Sequence, residues 1–231
     1  MTTFVLVHGA WHGAWSWELL TPELERRGHR TIAVDLPCDD PRATFEDYAD
    51  VVCSAIPSGL DDAVLVGHSL GGHVVARAAV QRRFARVVYL CGLVPEPGRS
   101  MVDQSRDRDG MLDPSYLAGL GPADADGRRA WVDEQVAREI IYSECTDDVA
   151  RWAFAQLRPQ ANAPYTVPCP SIDLRATPST YVLATADRMV GADWSRRAAE
   201  RLAAEVIEIP GGHSPSLARP AELADVLASA G

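Results

Sequence analysis

The chain has 231 residues, 47% of them apolar, and a formal net charge of −10. That length suits a single α/β domain, the apolar share leaves no need to invoke disorder, and no apolar run approaches a membrane span. The acidic balance argues against nucleic acid or an anionic membrane as a partner.

Met1-Thr2-Thr3 leads straight into a strand-like run with no basic-then-apolar leader, so a cytoplasmic location is expected. Thr3 to His8 is that run, a near-continuous apolar stretch that reads as a strand covered on both faces. The loop His8-Gly9-Ala10-Trp11-His12-Gly13-Ala14-Trp15 follows, then an amphipathic helix through about Arg27, stopped by Gly28. Thr31 to Leu36 is a second strand, ended by Pro37. Thr44 to Ile56 is helical, with Thr44 as N-cap and Pro57 as stop. Val64 to Val66 is a third strand, and a helix over Gly72 to Val80 follows it. Arg86 to Cys91 is a fourth strand. Strand and helix alternate this far, which means parallel strands joined by right-handed crossovers, with ligands beyond the carboxyl edge.

From Leu93 to about Pro178 the alternation breaks. This segment has many prolines and a charged stretch, Arg106 to Asp109. Two helices are expected in it, Arg128–Tyr142 and Asp147–Leu157, the second capped by Thr146. Such an insertion reads as a cap, with Trp131, Trp152, Met111, Leu112 and Tyr116 giving it a dry underside. The alternation then resumes with a strand over Ser179 to Thr185, a helix over Trp194 to Ala203, a strand over Val206 to Ile209 and a closing helix over Pro220 to Ala228. The expected architecture is one domain, core 1–92 and 179–231 with a cap over about 93–178. Cys38, Cys53, Cys91, Cys145 and Cys169 are scattered and lack metal-ligand spacing, so mostly buried free thiols are expected and no disulfide framework.

Between the third strand and its helix stands Gly67-His68-Ser69-Leu70-Gly71, a match to G-x-S-x-G. A serine on a tight strand-to-helix turn flanked by glycines is a nucleophile elbow. A neutral serine needs a base within hydrogen-bond reach, and the base needs a partner that fixes its tautomer. Of the six histidines, His68 adjoins Ser69 and is expected to point away, His8 and His12 belong to the first loop, and His29 and His73 sit on a turn and a helix. His213, just past the last strand in Gly211-Gly212-His213-Ser214-Pro215, is the candidate base. Asp187, at the carboxyl end of Tyr181 to Ala186, is the candidate acid, with Glu96 and Asp103 as fallback positions. The order Ser69, Asp187, His213 is that of α/β-hydrolases. Attack on a carbonyl builds an oxyanion that two backbone N–H groups must meet. Leu70, after the nucleophile, and Ala10, in the first loop, are the candidates.

These residues resemble the α/β-hydrolase superfamily, and Phe4 to Trp17 (FVLVHGAWHGAWSW) together with Gly67 to Gly72 resembles the plant methylesterase and hydroxynitrile lyase family and its bacterial esterase relatives. The similarity extends to Ile141–Asp148, Leu157-Arg158-Pro159, Tyr181–Asp187 and Gly212-His213. It implies an α/β-hydrolase fold, a mostly parallel sheet flanked by helices with a helical cap after the fourth strand. It also implies Ser69 as nucleophile, His213 as base, Asp187 as acid, and Ala10 and Leu70 as oxyanion donors. In the lyase branch a threonine follows the first-loop histidine and a lysine follows the catalytic histidine. Gly9 and Ser214 stand at those positions here, so a departing cyanide has no counter-charge. Trp11 replaces a residue that is often small in the plant branch and narrows the expected acyl pocket. Trp11, Gly9, Trp131 and Ser214 are thus the pocket candidates.

The expected activity is serine ester hydrolysis through an acyl-enzyme on a small-molecule ester, with no metal or organic cofactor. The alternatives are a lyase or other C–C bond-cleaving member of the fold, and a non-catalytic small-ligand binding protein. An aspartate in place of Ser69 would point instead to a dehalogenase or epoxide hydrolase. The oligomeric state is open, a homodimer being one option.

Overall fold

The computed structural model describes residues 1–107 and 110–230, so Arg108 and Asp109 of the charged stretch lie outside the described residues. Six strands, β1 (Thr3–Val7), β2 (Arg30–Val34), β3 (Val64–His68), β4 (Arg86–Leu90), β5 (Ser179–Ala184) and β6 (Glu205–Ile209), form one sheet in the order β2-β1-β3-β4-β5-β6. Every neighbouring pair is parallel, with Val7 opposite Val34 on one side and Gly67 on the other.

β3 and β5 are buried along their whole length and β1 at all but its first residue. This is why the sequence shows them as continuous apolar runs rather than an alternation. The two faces nevertheless divide by parity. Val5, Val7 and Leu65 pack on one side with α2 (Phe45–Ala55), α3 (Gly71–Gln81) and α8 (Ala192–Leu202). Phe4, Leu6, Val64 and Val66 pack on the other with Trp17, Leu24 of α1 (Thr21–Arg26), and Leu223 and Leu227 of α10 (Pro220–Ala230). The edge strands β2 and β6 are largely exposed except at their last residues.

The chain lays β2 to one side of β1 and then crosses to the other to make β3. The direction of winding reverses between β1 and β3. In open parallel sheets this reversal leaves a crevice at the carboxyl edge. The loop after β1 and the turn after β3 both open there.

Several expected boundaries shift. The helix expected up to Arg27 is a 3-10 turn over Ala14–Trp17 and a separate α1, because Pro22 lacks the N–H that a continuous helix needs and serves as a first-turn residue instead. The helix expected over Arg128–Tyr142 is confined to α5 (Glu134–Ile140), started by the Asp133 side chain accepting the Val136 N–H at 3.1 Å. Residues before it are extended: Arg129 bridges to Gln160 and Trp131 to Leu120. Those non-local bonds outweigh helix propensity over a short stretch. The segment between β4 and β5 also holds α4 (Met101–Ser105), α6 (Asp147–Ala155) and α7 (Ala163–Thr166). α4 begins with a reciprocal Ser100–Asp103 capping box that the sequence reading passed over. This inserted segment is tied to the core loops by backbone bonds from Arg158 to Trp11 at 2.8 Å and from Ala161 to Cys38 at 2.7 Å. Among the described residues no helix is long and apolar enough to cross a membrane. All five cysteines are free thiols, Cys38, Cys91 and Cys169 buried and the other two partly so.

Candidate active site

Ser69 lies between β3 and α3 with φ +51°, a left-handed conformation that non-glycine residues rarely hold without a functional reason. The turn is pinned by Ser69 N–H to Leu90 O at 3.1 Å, and Ser69 O accepts from Gly72 and Leu93. The flanking glycines are required by close approach. A Cβ on Gly67 would fall 2.7 Å from Gly71 O, and one on Gly71 would fall 2.6 Å from Val7 O. Packing α3 this tightly against β1 aims its N-terminus at the carboxyl edge.

His213 reaches the same place from the loop after β6, and Asp187 from the turn after β5. His213 Nδ1 donates to Asp187 Oδ2 at 2.8 Å, and the two side chains are only 2% and 3% exposed. The bond commits Nδ1 as the donor and leaves Nε2 to accept a proton. Asp187 Oδ1 accepts the N–H groups of Met189 and Val190 at 2.8 and 3.0 Å, so the carboxylate is clamped through both oxygens. Ser69 and His213 line a common void of about 10 Å³, on the order of a single water. Ser69, Ala10 and Leu70 also line an adjoining cavity of about 190 Å³. Among the described residues no protein acceptor takes the amide N–H of Ala10 or Leu70.

The fallback acids are engaged elsewhere. Glu96 pairs with Arg99 at 2.8 Å, and Asp103 caps α4 and pairs with Arg106 at 3.1 Å.

Three other histidines frame the site. His68 does not simply point away: its Nε2 donates to the carbonyl of His213 at 2.7 Å. His12 donates from Nδ1 to Ala10 O at 2.7 Å and accepts from the Tyr142 hydroxyl at 3.0 Å. His8 donates from Nδ1 to Gly9 O at 2.8 Å and accepts the Leu36 N–H at 2.9 Å. The His8 and His12 patterns, with one nitrogen donating and the other accepting, need a neutral ring with the proton on one defined nitrogen. Burial lowers His8 to about 4 and His12 to about 3, and it lowers His68 as well, helped by the nearby His213 and His12.

The pocket candidates separate. Trp11, at φ +64°, lines the larger cavity and donates from its indole to Arg129 O at 2.9 Å. Trp131 stands behind it, edge-on at 5.8 Å, rather than in the cavity wall. Trp152 packs on Trp15 at 5.4 Å, whereas Leu112 and Tyr116 do line the cavity. Gly9 lies close against Ser69: a Cβ there would come 3.0 Å from Ser69 Cβ. The Ser214 hydroxyl is buried with no partner among the described residues.

The sequence reading missed Gln160, buried, whose side chain accepts from Trp11 N–H at 3.4 Å and donates to Tyr48 Oη at 3.2 Å. It also missed Cys91 as a neighbour of Asp187. Cys91 Sγ, an Asp187 oxygen and a His213 nitrogen lie within 4.8 Å of one another. Burial, reinforced by the Asp187 charge, pushes the thiol well above its ordinary value. A thiol held protonated is a poor metal ligand, and the other two groups are already bonded to each other. The only advance signal for Cys91 was its place at the end of a strand.

The alpha/beta hydrolase family model matches residues 4–226, and the chain belongs to that family. Among relatives, a carbendazim hydrolyzing esterase from Nocardioides sp. (strain SG-4G) is 28% identical over 245 aligned residues, covering 100% of both chains. Polyneuridine aldehyde esterase from Rauvolfia serpentina is 34% identical over 173 residues, 68% of this chain and 65% of its own. A pyrethroid hydrolase from Sphingobium faniae JZ-2 superposes with a TM-score of 0.84 at 23% identity, over 99% of this chain and 96% of its own. The expected fold and the family resemblance are both borne out.

Proposed function

We propose that the chain is a serine ester hydrolase working through an acyl-enzyme. The observation that carries this reading is the buried 2.8 Å bond from His213 Nδ1 to Asp187, which leaves Nε2 as the basic nitrogen of a ring that lines one void with Ser69. His213 takes the Ser69 proton, Ser69 attacks the ester carbonyl, and the N–H groups of Ala10 and Leu70 receive the oxyanion. The imidazolium, stabilised by Asp187, protonates the leaving alcohol, and His213 then activates water to release the acid. The inserted segment acts as the cap that dries the cavity. The esterases among the relatives support ester chemistry. Five free thiols suit a reducing, cytoplasmic setting.

Stoichiometric labelling of Ser69 by a fluorophosphonate probe, lost in Ser69→Ala, together with turnover of aryl acetates, is the expected outcome. Folded protein that neither labels nor turns over would overturn the reading in favour of a ligand-binding role. Cleavage of mandelonitrile with no ester turnover would move it to the lyase class.

A further inference from the structure

The cavity at Ser69 is not uniformly apolar. Leu93, Met101, Leu112 and Met189 form an apolar wall, and one cationic residue, Arg129, also lines the space. Among the described residues that line it there is no carboxylate.

Arg129 is held firmly. Its main-chain N–H and C=O both bond Gln160, at 3.0 and 2.9 Å, and its C=O also accepts from Trp11 Nε1 at 2.9 Å. Its Nε donates to Gly121 O at 3.0 Å. These bonds fix the backbone and the root of the guanidinium. Among the described residues no protein acceptor takes Nη1 or Nη2. Its neighbour Arg128 differs, pairing with Asp124 at 2.9 Å and Asp126 at 3.2 Å. Tyr116 lines the same cavity, and its hydroxyl has no protein partner among the described residues. Burial raises the Tyr116 phenol while the Arg129 charge opposes that rise, consistent with the guanidinium lying near this ring.

A guanidinium beside a cavity whose lining holds no carboxylate offers an incoming anion a charge that no lining residue neutralises. Its two free terminal nitrogens match the two oxygens of a carboxylate. We propose that Arg129, assisted by Tyr116, is the specificity-determining residue of this pocket, and that the substrate is an ester carrying a carboxylate group remote from the scissile bond. The inference rests on Ser69 as nucleophile and deepens that reading by naming the substrate class.

Two ester pairs test it on either side of the scissile bond: monomethyl terephthalate against methyl 4-methylbenzoate, and 4-acetoxybenzoate against 4-methylphenyl acetate. The charged member of at least one pair should be preferred roughly tenfold or more in kcat/KM. Arg129→Gln should cut that ratio at least about tenfold and Arg129→Lys should restore part of it. Independently of turnover, the carboxylate product of the preferred pair, terephthalate or 4-hydroxybenzoate, should raise the Tm of Ser69→Ala and leave that of Ser69→Ala/Arg129→Gln unchanged. Equal treatment of both members of each pair, with ratios indifferent to Arg129, would overturn the inference while leaving the esterase reading intact. Absence of both ester turnover and Ser69 labelling strikes at the nucleophile instead.

Discussion

His68 Nε2 donates to the main-chain carbonyl of His213 across 2.7 Å, and the two rings lie 4.8 Å apart. The residue preceding Ser69 therefore holds the backbone of His213, although 145 positions separate the two histidines in sequence. Strand β3 and the loop after β6 are thereby locked together beside the void that Ser69 and His213 both line.

His68→Phe removes this donor and keeps the ring. It is expected to lower kcat by about ten- to a hundredfold through loss of positioning, with a much smaller change in KM. The acid limb of the pH–rate profile should stay in place, since burial holds His68 well below its ordinary value. His68→Gln, which restores a donor, should recover part of the loss. A variant that changed KM alone would assign His68 to binding rather than positioning.

Asp187→Asn separates charge from scaffolding. The asparagine oxygen can still accept the Met189 and Val190 N–H groups that Oδ1 accepts now. Its amide would then face His213 Nδ1 and impose the wrong tautomer. The expected result is an unchanged circular dichroism spectrum with kcat down by on the order of 10³ to 10⁴. Turnover near wild type would show that another group orients His213.

Acid stability follows from the buried histidines. His8 and His12, lowered to about 4 and about 3, stay neutral in the folded chain, while in the unfolded chain they take up protons near pH 6.5. His68 and His73 are lowered in the same direction by burial. The unfolded state therefore binds more protons below about pH 6.5. Their contribution to stability is full above that pH and is lost as pH falls toward the folded values. Each such histidine should cost about 1.4 kcal/mol per pH unit in that window. Urea unfolding at pH 7.5, 6 and 5 measures the slope. His73 stacks on Phe45 at 4.8 Å, and neither ring nitrogen has a partner among the described residues, so His73→Phe should reduce the slope by one proton. A slope unaltered by that substitution would contradict this account.

Trp11 narrows the cavity beside Ser69 while packed on Trp131 and Tyr116. Trp11→Gly relieves a left-handed backbone but deletes that packing and the bond to Arg129 O. We expect a net loss of about 3 kcal/mol in urea unfolding. In a series of esters graded by acyl size, kcat/KM should shift toward bulkier acyl groups relative to acetyl. A uniform loss across the series would mean that Trp11 is only a packing residue.

Much of the fold and of the candidate site was legible in the residue order. Strands β1, β3, β4 and β5 stand out as short apolar runs because helices cover both faces of the sheet. Ser69, Asp187 and His213 stand out because each follows a strand at a point marked by a turn: the glycines around Ser69, the ATAD turn before Asp187, and Gly211-Gly212 before His213. The segment 128–132 differs from the expected helix because its backbone bonds go to Gln160, Gly121 and Gly119, residues that no local periodicity points to.

The sequence by itself determined a parallel α/β sheet, the chain order of a serine, an acid and a histidine, and the loops from which they project. These follow from local rules: burial pattern, turn chemistry and strand-to-helix punctuation. Only the tertiary structure decided which way the side chains face. It set His68 onto the His213 carbonyl, clamped Asp187 through both oxygens, brought Cys91 beside Asp187, moved Trp131 behind Trp11, and placed Arg129 in the lining of a cavity that holds no carboxylate. Each of these depends on close packing between segments far apart in the chain, and spacing along the chain does not encode the direction of a side chain across such a gap.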